Sequence, residues 1–152
     1  MGPSIIVVTA IGLAVSTVLV VLSIRAGRRP PVHRALWIIA LVALGISILF
    51  RLFLLVGIAM SGAPADALPI LMGDLAVVGA FVAAFWRPAW TGWTLIGSAL
   101  ALPAIAWLLD TTTGLGLPEQ SAAPAMLGFY AVPAIITGVL LILCEVRRRR
   151  PN

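Results

Sequence analysis

The chain has 152 residues, 62% of them hydrophobic and 10% charged, with ten Arg, no Lys and five acidic residues. A soluble domain carries roughly 25% charged residues to cover its surface, so this composition suits lipid rather than water as the solvent. A net charge of +5 would suit a nucleic-acid partner in a soluble protein. Here the arginines stand at the ends of apolar runs, where they meet headgroups instead, and no nucleic acid is expected.

The first apolar run, Ile5 to Ile24, carries no charge. A helix needs about 20 such residues to cross the hydrocarbon. No basic residue precedes the run, and Arg25, Arg28, Arg29 and Arg34 follow it. A secretory signal has its charges in front, so the run reads as a retained helix. The second span runs from Ala35 to Met60, with Arg51 inside it. The third, Leu68 to Trp86, contains Asp74. The fourth and fifth run from Ala89 to Leu109 and from Met126 to Cys144. Segments near Ser61–Ala67 and Thr111–Ala125 read as outer loops, and Arg87-Pro88 as a tight inner turn.

Alternating five crossings from an outside amino terminus puts nine arginines in the cytoplasm, Arg25, Arg28, Arg29, Arg34, Arg87 and the run Arg147 to Arg150. That is the asymmetry the positive-inside rule describes. The expected fold is therefore all-α: a polytopic membrane bundle of five transmembrane helices, amino terminus outside and carboxyl terminus cytoplasmic. It forms one membrane domain over residues 1–152. The Arg-only cation usage fits a GC-rich bacterial genome, which makes the bacterial cytoplasmic (inner) membrane the expected location.

Two hairpins share features. Arg34-Ala35-Leu36-Trp37 opens the second span and Arg87-Pro88-Ala89-Trp90 opens the fourth. A parallel duplication and a shared preference for Arg and Trp at the interface both account for this. Small residues recur at helical spacing in Gly73, Ala76, Ala80 and Ala83, and again in Gly97, Ala101 and Ala104. Such stripes let membrane helices approach closely, either within the bundle or against another subunit. Pro103 and Pro133 fall inside the fourth and fifth spans, where each frees a carbonyl one turn back, on Ala99 and Phe129.

Ionisable groups within the hydrocarbon are expensive and mark candidate sites. Arg51 lies roughly 13 Å below the outer end of its span and Asp74 roughly 9 Å below the outer end of the next, at about 1.5 Å rise per residue. A short connection makes the two spans antiparallel neighbours, so an Arg51–Asp74 ion pair is expected. Tyr130, Trp107 and Asp110 fall near the same depth and complete a candidate outer-leaflet pocket. A fixed structural pair and a site for a proton, cation or polar headgroup both fit these residues.

His33 and Cys144 are the sole residues of their types, so no metal site, disulfide or haem is expected, and no cofactor. Three function classes fit. One is a small transporter or channel-like protein, completed by a homo-oligomer or by a partner. Another is an accessory or assembly subunit of a larger membrane complex. The third is a membrane-embedded lipid-modifying enzyme, with no catalytic residues assigned beyond Tyr130 near Asp74. An enzymatic role is left open and is the least favoured.

Overall fold

A computed structural model describes residues 3–60, 64–113 and 123–146. Over them the chain is all-α, with helices α1 (Pro3–Arg25), α2 (Arg34–Met60), α3 (Pro64–Trp86), α4 (Pro88–Thr113) and α5 (Ala123–Val146). Each expected span has its helix, in the expected order. By length and composition, however, one helical segment among the described residues is apolar enough to cross a membrane, Arg34–Gly57. Thr9–Arg25, Leu71–Trp86 and Ala131–Val146 are apolar helices of shorter described length.

Several helix ends reach past the apolar runs. α3 opens at Pro64, so Asp66 belongs to its first turn rather than to a loop. Proline suits the first helical position, because the amide it lacks has no partner there anyway. α4 likewise opens at Pro88 and continues to Thr113. Both α4 and α5 remain helical through Pro103 and Pro133.

The helices are tied together at the end where α1, α3 and α5 finish and α2 and α4 begin. Gly27 adopts a left-handed backbone (φ 73°), and its amide bonds the carbonyl of Ile24 at 3.1 Å, closing α1. Glycine takes this conformation without the steric penalty of a side chain. The connection that follows then crosses the other helix ends. The Arg29 amide donates to the Trp86 carbonyl at 3.0 Å, and the Val32 amide to the Cys144 carbonyl at 3.1 Å.

A single residue, Arg87, separates α3 from α4. Its amide bonds back to Ala83 and its carbonyl accepts from Thr91. Proline disfavours a helical residue before it, which places the turn here. The Arg87 side chain is buried. Its Nε donates to the Gly27 carbonyl at 3.1 Å and its Nη2 to that of Ala26, while the guanidinium lies 5.1 Å from the Trp90 ring centroid. Glu145, in the last turn of α5, accepts from the Ala89 amide at 3.3 Å and stands 3.9 Å from Arg29.

The two hairpin openings thus differ in what they do. Arg34 is exposed whereas Arg87 is buried. Trp37 donates its Nε1 proton to the Ala84 carbonyl at 3.2 Å and meets Phe85 edge-on, whereas Trp90 stacks on Arg87.

Packing relies on small residues. Ser16 of α1 donates to the Ala76 carbonyl of α3 at 2.6 Å, directly where Gly79 leaves room for its side chain. Ala80 and Ala83 of the α3 stripe are buried. On α4 the expected stripe is not the contact face: Gly97, Ala101 and Ala104 are exposed. Instead Thr91, Gly92 and Leu95 are buried, and Gly92 meets Gly138 of α5 backbone to backbone. A Cβ on Gly92 would stand 2.5 Å from the Gly138 carbonyl oxygen, and one on Gly138 2.7 Å from that of Gly92. No flexible side chain can yield at either contact.

Gly92→Ala is therefore expected to destabilise the bundle by about 1–3 kcal/mol, the usual cost of overpacking. Gly97→Ala, which enters open space, stays within about 0.5 kcal/mol of wild type. Equilibrium unfolding of both variants in mild detergent checks the contrast.

Candidate functional site

The Trp37–Ala84 hydrogen bond joins the start of α2 to the last turn of α3, and the two helices run antiparallel from there. Further along the same pair of helices, Arg51 meets Asp74, with Nη1 3.6 Å from Oδ1. Both side chains are largely withdrawn from the surface, 19% exposed for Arg51 and 6% for Asp74.

The contact is longer than a charge-assisted hydrogen bond, which lies at about 2.7–2.9 Å. Both carboxylate oxygens of Asp74 are buried and neither has a hydrogen-bond partner. An ionised carboxylate offers about four acceptor sites. The pair is thus electrostatically matched while the carboxylate keeps unused hydrogen-bond acceptor capacity.

Sequence reasoning brings five residues to this site, and the structure joins Arg51 to Asp74. Trp107 and Asp110 belong to α4 and Tyr130 to α5; their side chains lie outside the described residues. Among the described residues, no group of three or more His, Cys, Asp or Glu side chains stands together as a metal site.

A second polar assembly, at the opposite end of α3, escapes sequence reasoning. It comprises Arg87, Arg29 and Glu145. The signal available in the chain was Arg87 immediately before Pro88, a charged residue at a turn too short to hold it in solvent. Beside this assembly is a groove of about 370 Å³ lined by Arg28, Val82, Phe85 and Trp86.

Compared with known protein families, with curated proteins and with solved structures, the chain matches none.

Removing one member of a buried ion pair costs about 3–5 kcal/mol, because the other charge is stranded. Arg51→Ala is expected to lose that much stability, and Arg51→Ala with Asp74→Ala to regain at least half of it. Chemical denaturation of the three variants gives the coupling. A double variant no more stable than Arg51→Ala alone refutes it.

Proposed function

We propose that this chain is a five-span membrane protein of a bacterial cytoplasmic membrane, with its Arg-rich end in the cytoplasm. Its packing supports this reading. Among the described residues, no Ile, Val, Met, Phe or Trp is buried. The buried set consists of Ala, Gly, Ser, Thr, Leu, Pro, Cys, Asp74 and Arg87. Meanwhile Met60 is 83% exposed, Phe53 75% and Trp93 63%. In water the large apolar side chains would fill the interior. A bundle in lipid gains nothing by burying them and packs through small residues.

Within that frame the protein acts as a small transporter or channel-like protein, with the Arg51–Asp74 pair exchanging a proton or small cation. One observation carries this: a buried carboxylate whose two oxygens lack hydrogen bonds beside a cation at 3.6 Å. A pair serving only to lock two helices would be expected to close into short, bidentate hydrogen bonds. When Arg51 withdraws, Asp74 takes up the proton or cation; when Arg51 returns, the ligand is displaced. Five spans are few for a complete pathway, so a second copy or a partner completes it.

A second reading, an accessory subunit, is favoured by the exposed small-residue face of α4, Gly97, Ala101 and Ala104, which would let another membrane helix approach closely.

Two measurements test the proposal. A reporter fused after Asn152 is expected to remain cytoplasmic, whereas one inserted at Gly62 is exported. In proteoliposomes carrying a pH-sensitive dye or a cation indicator, Asp74→Asn should lower flux at least tenfold per folded, reconstituted protein, a larger loss than its reduced stability accounts for. Equal flux in wild type and Asp74→Asn, together with co-purification of a larger membrane protein, decides for the accessory reading.

A further inference from the structure

The groove at the basic end combines a charge with an apolar wall. Arg28 is exposed in the connection between α1 and α2, and Val82, Phe85 and Trp86 belong to the last turns of α3. Both sides of the groove are held in place. The Arg29 amide, adjacent to Arg28, is bonded to the Trp86 carbonyl at 3.0 Å. The Phe85 ring packs edge-on against Trp37 and Phe81, at centroid distances of 5.5 and 5.3 Å.

Arg28 differs from Arg29 and Arg87 in how its charge is used. Arg87 is spent on backbone carbonyls and Arg29 faces Glu145. No ion pair among the described residues neutralises Arg28. A cation at the mouth of an apolar groove is complementary to a ligand with an anionic head and a hydrocarbon body. A volume of about 370 Å³ lies at the lower end of the range of ligand sites, roughly 300–1,000 Å³. It would take a phosphate with its glycerol and the start of an acyl chain, not a whole lipid.

We propose that this groove binds one anionic phospholipid of the cytoplasmic leaflet, its phosphate on Arg28 and its proximal chain against Val82 and Phe85. Basic pockets at the cytoplasmic ends of membrane helices bind acidic headgroups in this way, and Trp86 stands where an interfacial aromatic is favoured. The proposal rests on the membrane reading given above and is independent of any transport by Arg51 and Asp74.

The test uses the full chain reconstituted in phosphatidylcholine vesicles with and without phosphatidylglycerol, followed by native mass spectrometry of the protein released in mild detergent. Wild type is expected to retain one phosphatidylglycerol and no phosphatidylcholine. Arg28→Gln should weaken retention roughly fivefold, the effect of one cation near the surface. Val82→Trp, which fills the groove and keeps the charge, should weaken it as much. Arg25→Gln, a charge-matched change outside the groove, should leave it unaltered.

Equal losses in Arg25→Gln and Arg28→Gln, or full retention in Val82→Trp, would overturn the proposal in favour of diffuse attraction to the basic end. Displacement of the lipid by millimolar glycerol phosphate would overturn the chain contact and leave a headgroup site alone. Failure of the protein to insert into either vesicle refutes the membrane reading itself, which is a distinct result.

Discussion

Arg87 is the constraint on which the arrangement of the bundle depends. It stands where the chain reverses between α3 and α4, and its guanidinium supplies donors to two carbonyls at the end of α1. Those carbonyls, of Ala26 and Gly27, lie just past the last residue of α1, where no further helical turn supplies a donor. A buried arginine would ordinarily be costly. Here the cost is offset because Arg87 resolves three deficits together: the open end of α1, the turn before Pro88 and the face of Trp90. Glu145 acts in the same way from the other side. A carboxylate at the end of its own helix is opposed by that helix's dipole, yet Glu145 sits against the first turn of α4 and near Arg29, where both fields favour it.

With one end fixed, the position of the ion pair follows. Trp37 against Ala84 sets the register of α2 on α3, and that register carries Arg51 to Asp74. The same pairing explains why the two residues tolerate burial: each is the other's nearest compensation. It does not saturate the carboxylate, whereas the Arg87 guanidinium donates hydrogen bonds to two carbonyls.

Much of this was legible in the chain. Long apolar runs separated by short polar, proline-containing or Arg-containing segments mark five helices. Arg51 and Asp74 were legible because each is the one charge inside its apolar run and the two runs are consecutive. Helix ends were less so: the segment from Pro64 to Ala67 read as a loop by polarity, although proline suits a first helical position. The contact face of α4 was not legible at all. Gly92 and the set Gly97, Ala101, Ala104 are equally small, and only the neighbouring α5, with Gly138 at the matching height, selects between them. Glu145 was missed because its partners come from two other elements. The side chains of Trp107, Asp110 and Tyr130 fall outside the described residues.

The crossing of Gly92 with Gly138 also limits how the protein can move. Helices that touch through their main chains cannot slide by a residue without driving a side chain into a peptide group, so α4 and α5 travel as one rigid piece. α1 and α3, pinned through Ser16 and Gly79, form another. Any rocking motion must then occur along the seams between these two blocks and α2, and one of those seams carries Arg51 on one side and Asp74 on the other.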